Sequence, residues 1–330
     1  MDKLGIYIPT HNRTNTLETT IKNFIPQVVK YRLPIYIADS SESNETKMLV
    51  FKMRKRYRKI FYKKNTPQEG KTYATALKSV LMMGKTEFVW FFGDDDVVKP
   101  GAIKTIIKNL NYYDFLQINI QLWNNTMQKK TADKKVSLDH NIIYKKNEHE
   151  KVLITSKGDY AGFMGQIITK REYLSAALEN IPKSDQETSD FLHTALFFNA
   201  IVGKKGKFLS TPLINYRTGA GLEGREFAVW IINFPSVFKL LRVYSPCTIK
   251  LAGRISTYGL LVTAIQYRIT HCNKQESNKY ISYMWNSKTY KTSEKLAVIV
   301  ILKAPRVILS LLFYSISKLK RAVTQVRVES

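Results

Sequence analysis

Three consecutive acidic residues follow a strongly apolar stretch of this chain. Glu87–Phe92 reads Glu-Phe-Val-Trp-Phe-Phe, and Asp94, Asp95 and Asp96 come after it with one glycine between. Adjacent carboxylates repel one another, and Mg²⁺ or Mn²⁺ removes that cost because hard cations bind carboxylate oxygens. Two carboxylates, two diphosphate oxygens and water would complete an octahedral shell. The alternative is a solvated acidic turn or a helix N-cap ahead of Pro100.

Two further polar clusters have residue types suited to phosphate and nucleoside recognition. Pro9–Arg13 reads Pro-Thr-His-Asn-Arg, and such a turn between a strand and a helix offers N–H groups and a guanidinium to a diphosphate. Asp39–Ser41 reads Asp-Ser-Ser, and an acidic residue at a strand end can accept from base N–H groups or ribose hydroxyls. Each cluster alone also fits a plain capped turn or helix cap.

Alternating strand and helix signals predict the elements that position these clusters. Strand-like runs are Leu4–Ile8, Pro34–Ala38, Lys59–Tyr62 and Glu87–Phe92, and helical spacing occurs in Thr14–Lys30, Glu45–Arg58 and Lys71–Met83. The alternation predicts an α/β fold with a mostly parallel sheet and helices on both faces. Because ligands bind beyond the carboxyl ends of such strands, all three clusters are directed to one crevice.

The rest of the chain is predicted to continue this pattern and then to become helical. The predicted elements are a helix over Pro100–Lys108, strands over Phe115–Leu122 and Gly162–Lys170, and a helix over Ser189–Val202. Asn124–Glu150 is interpreted as a variable loop region. Asn215–Gly219 is interpreted as an ordinary surface loop containing glycine, with a mobile lid that excludes water as the alternative. Beyond about residue 224 helical patterns dominate, which indicates a domain boundary there.

Together, the three clusters resemble the family 2 glycosyltransferases of the GT-A fold, whose sheet is Rossmann-like. Members end their first strand in a Pro-Thr/Ser-Tyr/His-Asn-Arg turn, their second in an acidic residue and their fourth in a D-x-D signature. Pro9–Arg13, Asp39 and Asp94–Asp96 match these features. Trp-x-Phe-Gly-Asp-Asp-Asp, ending at Asp96, looks most like the abequosyltransferase-type subgroup of bacterial polysaccharide synthesis. The resemblance is good over residues 4–110 and weak to about residue 217.

The resemblance implies roles for these residues. The residues expected to contact a nucleotide-sugar donor are Pro9, Thr10, Asn12, Arg13, Asp39, Lys71, Asp94 and Asp95. Asp94 and Asp96 would hold Mn²⁺ or Mg²⁺. The metal and Arg13 would stabilise charge that develops on the leaving diphosphate, and one-step displacement would invert the anomeric centre.

The chain departs from the family in two places. Relatives carry an Asn in the helix before the D-x-D strand, where this chain has Tyr73, and Lys71 is predicted to compensate by meeting a phosphate. Relatives also carry an acidic pair, often Glu-Asp, ahead of a glycine. Asp190 is the best match and is predicted to be the base that takes the proton of the acceptor hydroxyl. Asp185 and Glu187 are the alternatives for that role.

The resemblance also implies a domain organisation and an activity. Residues 1–224 would form the GT-A domain, with 1–110 as the nucleotide-sugar half and 111–224 as the acceptor half, and 225–330 a helical region. The expected reaction is inverting transfer to a glycan acceptor, hypothesised to be lipid-linked. A sugar nucleotidyltransferase is the first alternative, although it usually needs a glycine-rich basic loop after the first strand. A non-catalytic nucleic-acid or polyanion-binding protein is the second, although three Asp residues in the crevice disfavour it.

The formal net charge of +26 predicts an anionic partner. Lys52–Lys64 is rich in basic and aromatic residues, which fits nucleic acid, anionic lipid or a solvated helix face. Leu296–Leu319 favours lipid, because this apolar run is interrupted by Lys303, Pro305 and Arg306 and suits an interfacial helix better than a membrane span. We therefore expect a cytoplasmic protein on the inner face of the membrane, with no nucleic-acid partner. The alternative for Leu296–Leu319 is a helix that packs on the protein's own core.

Overall fold

Strands and helices alternate through the first 110 residues of a computed structural model that describes residues 2–156, 158–219, 227–252, 257–270, 274–286 and 290–311. The elements of this part are β1 (Leu4–Thr10), α1 (Thr14–Tyr31), β2 (Ile35–Asp39), α2 (Glu45–Arg54), β3 (Ile60–Lys64), α3 (Tyr73–Met82), β4 (Phe88–Phe91), β5 (Val97–Val98) and α4 (Ala102–Leu110). Thr10, Asp39 and Phe91 each end a strand. The three polar clusters therefore begin at or just beyond the carboxyl ends of β1, β2 and β4.

The second half of the sheet region is followed by helices. The elements are β6 (Phe115–Trp123), β7 (Lys130–Ala132), β8 (Ile142–Tyr144), α5 (His149–Thr155), β9 (Ile167–Lys170), α6 (Arg171–Glu179), α7 (Lys183–Thr188), α8 (Leu192–Ala200) and β10 (Gly206–Arg217). They continue as α9 (Phe234–Val237), α10 (Pro246–Ala252), α11 (Thr257–Thr270), α12 (Lys274–Asn286) and α13 (Thr292–Lys303).

Three local predictions were wrong. The expected surface loop over Asn215–Gly219 begins with the last residues of β10. Pro212 hides this strand in the sequence, because proline is rarely found inside a strand, and the register of β10 against β6 shifts between Leu209 and Ile214. The polar loop expected over residues 124–150 contains β7, whose Lys130 and Thr131 are exposed, and β8, whose apolar run Ile142–Tyr144 is only three residues long. Helix α2 ends at Arg54, four residues before the end that was predicted.

The strands join one sheet in the order β3-β2-β1-β4-β9-β6-β10-β5. β1 pairs in parallel with β2 and β4, β2 with β3, and β6 with β10, whereas β9 is antiparallel to its neighbours β4 and β6. In this register Thr10 lies beside Asp39, and Tyr7 lies beside Phe91. The predicted fold class, an α/β fold with a mostly parallel sheet flanked by helices, is confirmed.

Side chains of β1 and β2 alternate between two packing layers. Ile6 and Ile8 belong to an apolar cluster that α1, α2 and α4 cover. On the other face, the ring of Tyr7 stacks on Tyr36 with 4.7 Å between centroids. Helix α3, whose buried Leu77 lies outside the first cluster, contacts β1 and β2. Helices on both faces thus bury the strands and leave their carboxyl ends to carry the polar clusters.

The described residues form two compact units. One lies within Met1–Gly221 and Ser236–Gly253, and the other within Leu222–Pro235 and Arg254–Ser330. The sheet belongs to the first unit. The second is helical and has its own apolar core, in which Leu260 of α11, Met284 of α12 and Val298 of α13 are buried together. The helical C-terminal part of the predicted fold is confirmed, while the boundary expected near residue 224 lies outside the described residues.

Candidate active site

The turn after β1 and the turn after β4 are joined by their polar side chains. The Thr10 hydroxyl donates to Asp94 Oδ2 over 2.7 Å. The guanidinium of Arg13 donates to Asp94 Oδ1 over 2.9 Å and to Asp95 Oδ2 over 3.1 Å. Asp94 is 5% exposed, and the Arg13 side chain is 31% exposed. The structure therefore brings Thr10, Arg13 and the acidic triplet to one place, as predicted, with the guanidinium at its solvent side.

Asp96 is held from the other side by β10. Its Oδ1 accepts from the backbone N–H of Arg217 over 2.9 Å, and the Thr20 hydroxyl donates to its carbonyl over 2.8 Å. Nε of Arg217 donates to the carbonyl of Asp95 over 2.9 Å. The sequence does not mark Arg217 as a site residue, because Pro212 hides the strand β10 that carries it. Its position at the far end of that strand is the signal that would have revealed it.

The acidic triplet is electrostatically unfavourable as it stands. Burial, together with the charge of Asp94, raises the pKa of Asp95 to about 7. Burial and the charge of Asp95 raise the pKa of Asp96 well above its usual range. Gly93 leaves room for this crowding, since a Cβ at that position would lie 2.8 Å from Asp96 Oδ2. A cation at the carboxylates would lower both pKa values.

The donor set fits a hard divalent cation that is shared with a ligand. In the parts of the chain that the structure describes, no three acidic, His or Cys side chains converge to hold a metal by themselves. Two carboxylates of the triplet are hard oxygen ligands, which Mg²⁺ and Mn²⁺ prefer, and diphosphate oxygens would have to supply further positions. The predicted ligands Asp94 and Asp96 are both nearly inaccessible, at 5% and 2% exposed.

The turns after β1 and β2 are tied together. Asn12 has a left-handed backbone with φ of 54°, its N–H donates to the Ser41 hydroxyl over 2.8 Å, and its side-chain oxygen accepts from the N–H of Glu42 over 3.1 Å. Asp39 is fully buried, and its carboxylate accepts from the Ser41 N–H and the Tyr62 hydroxyl, each over 2.8 Å. The described contacts of Asp39 are structural, and its contact with a nucleobase stays a prediction.

Lys71 and Tyr73 lie at the start of α3, Tyr73 at the position where the family pattern has an Asn and Lys71 as the residue predicted to compensate. Lys71 is exposed beside Gly70, where a Cβ would come 3.0 Å from Ser40. Thr72 caps α3, and its hydroxyl donates to the carbonyl of Glu187 over 2.5 Å. This bond attaches the end of α7 to the start of α3. The phosphate contact of Lys71 stays a prediction.

Tyr73 connects this corner to the segment that contains Asp190. Its hydroxyl lies 2.7 Å from Nδ1 of His193, whose Nε2 lies 2.8 Å from the carbonyl of Gly162. A carbonyl only accepts, so Nε2 carries the proton and Tyr73 donates to Nδ1. Burial lowers the pKa of His193 to about 4, which keeps the ring neutral at physiological pH. Burial and the nearby charge of Asp190 raise the pKa of Tyr73 well above its usual value.

His193 is a second residue that sequence reasoning missed. Nothing in the residues around it signals the contact, because its partners Tyr73 and Gly162 are 120 and 31 positions away. Asp190 precedes α8 in the same segment, and its charge reaches Tyr73. The other two acidic candidates, Asp185 and Glu187, lie on α7. The choice of Asp190 as the base stays a prediction.

The part of the chain that carries this site is similar to known proteins. Residues 5–167 match the family model described as Glycosyl transferase family 2. A curated relative, the GalNAc(5)-diNAcBac-PP-undecaprenol beta-1,3-glucosyltransferase of Campylobacter jejuni subsp. jejuni serotype O:2, is 35% identical over 112 residues. That match covers 34% of this chain and 35% of the relative, so the chain spans only about a third of the curated protein's length.

Solved structures resemble the fold over most of the chain. S. aureus TarS 1-349 has a TM-score of 0.54 at 15% identity, covering 90% of this chain and 81% of that one. Its complex with UDP-GlcNAc has a TM-score of 0.53 at 15% identity, covering 91% and 79%. The mannosyltransferase PcManGT from Pyrobaculum calidifontis, in complex with GDP-Man and Mn²⁺, has a TM-score of 0.50 at 13% identity, covering 91% and 85%. At these identities the likeness is one of fold.

Proposed function

We propose that the chain is an inverting glycosyltransferase that moves a sugar from a nucleotide-diphosphate sugar to a glycan acceptor. The match of residues 5–167 to the Glycosyl transferase family 2 model supports this activity. The observation that carries this proposal is the cluster in which Arg13 bridges Asp94 and Asp95 while Asp96 is buried beside them. Buried acids with raised pKa values favour a ligand that brings a cation, and an adjacent guanidinium favours phosphate. A nucleotide-sugar with a divalent cation meets both conditions.

The residues of this corner suit the leaving group. When the bond between the anomeric carbon and the phosphate oxygen breaks, negative charge develops on the diphosphate. Arg13 can stabilise that charge through charge-assisted hydrogen bonds, and Thr10 and Asn12 shape the turn that holds it. Mn²⁺ or Mg²⁺ held by Asp94 and Asp96 would neutralise further charge there.

The acceptor side is assigned to the segment before α8. A hydroxyl is a poor nucleophile at neutral pH, and Asp190 would take its proton as the new bond to the anomeric carbon forms. Displacement in one step, from the face opposite the diphosphate, inverts that carbon. The ties from Thr72 to Glu187 and from Tyr73 to His193 hold this segment at the start of α3. Asp185 and Glu187 remain the alternatives to Asp190.

A lipid-linked acceptor and a peripheral position on the inner face of the membrane complete the proposal. The named substrate of the Campylobacter relative, a glycan on undecaprenyl diphosphate, supports such an acceptor. Val298 and Leu302 of α13 are buried, whereas five large apolar side chains within residues 296–311 are more than 45% exposed: Leu296, Val300, Val307, Ile308 and Leu311. In the described residues, no helix has the length and apolarity to cross a membrane. Lys318, Lys320 and Arg321, expected to add electrostatic attraction, lie outside the described residues.

A thermal-shift panel of nucleoside diphosphates and nucleotide-sugars, each with and without Mn²⁺, tests the proposal. The nucleotides of one base should raise the melting temperature of the wild type, and the rise should be larger when Mn²⁺ is present. Asp96→Ala should lose that metal-linked rise and all sugar transfer while still folding. Asp133→Ala, which removes an exposed carboxylate, serves as the matched control and should behave like the wild type.

Two outcomes would overturn the proposal. If no nucleotide with Mn²⁺ shifts the melting temperature, the acidic cluster is not a nucleotide-sugar site. If nucleoside triphosphates together with sugar phosphates stabilise the protein and nucleotide-sugar appears as the product, the enzyme is a sugar nucleotidyltransferase. Unchanged nucleotide–Mn²⁺ affinity in Asp96→Ala, for every base, would remove the metal role from the acidic triplet.

A further inference from the structure

Helix α2 exposes apolar side chains on its solvent side. Its inner face buries Leu49, Val50 and Met53 against the sheet, as an amphipathic helix should. On the outer face, however, Met48 is 70% exposed and Phe51, one turn further along, is 51% exposed. Two large apolar side chains in water on one short helix face call for a partner that buries them.

Basic side chains surround these two residues. We name the α2 surface as the exposed residues Lys47, Met48, Phe51, Lys52, Arg54 and Lys55. The guanidinium of Arg54 lies over the ring of Phe51, 5.9 Å from its centroid. Basic residues in the last turn of a helix are common because they complement its dipole. That explanation fits Arg54 and Lys55, but it does not cover Lys47 in the first turn.

The structure divides the basic run Lys52–Lys64 into paired and unpaired parts. Lys59 pairs with Asp2 at 2.8 Å, and Lys63 pairs with Glu69 at 2.5 Å. Lys64 donates to backbone carbonyls after β2 and lies 3.5 Å from Asp39. Among the described residues, Lys47, Arg54 and Lys55 have no carboxylate within ion-pair distance, and Lys52 has Glu18 at the limit of 3.9 Å. The α2 surface therefore carries unpaired positive charge beside its two exposed apolar side chains, and Arg56 and Arg58 of the same run are exposed as well.

We propose that the α2 surface lies on an anionic lipid bilayer. Met48 and Phe51 would enter the headgroup region, where burial of apolar area is favourable, and the four basic side chains would meet lipid phosphates and carboxylates. A nucleic acid would satisfy the charges but leave Met48 in water. This inference deepens the proposed function and rests on it in one respect, since a lipid-linked acceptor is the reason for the enzyme to meet a membrane. The α2 surface belongs to the sheet unit, so the inference does not depend on the exposed apolar side chains of residues 296–311.

Vesicle co-sedimentation of the full chain tests the inference. Vesicles of phosphatidylcholine are compared with vesicles that also contain phosphatidylserine, at low and high salt. The triple variant Lys52→Gln, Arg54→Gln and Lys55→Gln should bind the anionic vesicles about a hundredfold more weakly at low salt, on the scale of roughly 1 kcal/mol per basic residue. The double variant Met48→Ser and Phe51→Ser should weaken binding at both salt concentrations, because its loss is apolar.

The matched control removes three exposed lysines elsewhere on the same unit, as Lys129→Gln, Lys145→Gln and Lys146→Gln. An equal loss of vesicle binding in this control would show that net charge alone causes the effect, and would refute the α2 surface as the lipid-binding site. If the wild-type protein does not bind anionic vesicles but binds duplex DNA, and the α2 variants lose the DNA binding, then the partner of the α2 surface is not lipid. Melting with a nucleoside diphosphate and Mn²⁺ is measured in parallel, and its failure would count against the proposed function alone.

Discussion

Replacing Asp95 by Asn should stabilise the protein, and the gain should grow with pH. The Asp95 carboxyl is 13% exposed, and its pKa is about 7 in the folded chain against an ordinary value of 3.8. Ionised Asp95 therefore costs the folded state about 4 kcal/mol above pH 7. Because the unfolded chain releases this proton first, stability falls as pH rises from about 4 to about 7. Asp95→Asn removes that loss while keeping the shape of the side chain.

The measurable quantity is the change in the variant's advantage between two pH values. Between about pH 5 and about pH 8 the cost of ionised Asp95 grows by close to 3 kcal/mol. We expect the stability advantage of Asp95→Asn over the wild type to grow by roughly half of that amount. The reduction arises because Arg13 loses its 3.1 Å partner in the variant, and because Asp95 titrates together with the neighbouring acids. Urea unfolding followed by circular dichroism, at both pH values, gives the two free energies of unfolding.

Asp139→Asn is the control for that experiment. It also removes one carboxylate, but this one is exposed, and Lys134 lowers its pKa, so that it is ionised at both pH values. The control should therefore shift stability equally at the two pH values. If the Asp95→Asn variant is no more stable than the wild type at about pH 8, or if its advantage is the same at both pH values, then the acidic triplet is not electrostatically strained and the argument for a cation there fails.

Other predictions concern the acceptor side and the membrane. Asp190→Asn should lower turnover by about 10² or more and leave nucleotide affinity unchanged, as measured by initial rates and calorimetry, and near-normal turnover would move the base to α7. The Tyr73 hydroxyl is expected to position the segment of Asp190 through its hydrogen bond to His193. Tyr73→Phe should therefore lower kcat about fivefold, the scale of one lost hydrogen bond, with unchanged nucleotide affinity, and an effect on KM alone would refute that role. Val300→Gln with Leu311→Gln should weaken binding to anionic vesicles without lowering the melting temperature, whereas a variant that simply unfolds would assign this exposed face to the core.

The sequence alone was sufficient to predict that the turn after β1 meets the acidic triplet after β4. Leu4–Ile8 and Glu87–Phe92 are short apolar runs that end in polar clusters, and each lies within a single window of residues. The parallel arrangement followed from the alternation of such runs with helices, and with it the meeting of Arg13 with Asp94 and Asp95. The abequosyltransferase-type subgroup, which rests on the same residues, stays a prediction.

Tertiary structure decided the remainder of the site. The Arg217 N–H reaches Asp96 across 121 positions because β10 passes between β6 and β5 in the sheet. His193 meets Tyr73 because the segment before α8 docks on the start of α3. Likewise, Lys59 is paired only because the fold brings Asp2 to it across 57 positions. Periodicity and propensity are properties of neighbouring residues, whereas strand order and charge pairing depend on which distant surfaces bury one another, and no local window contains that information.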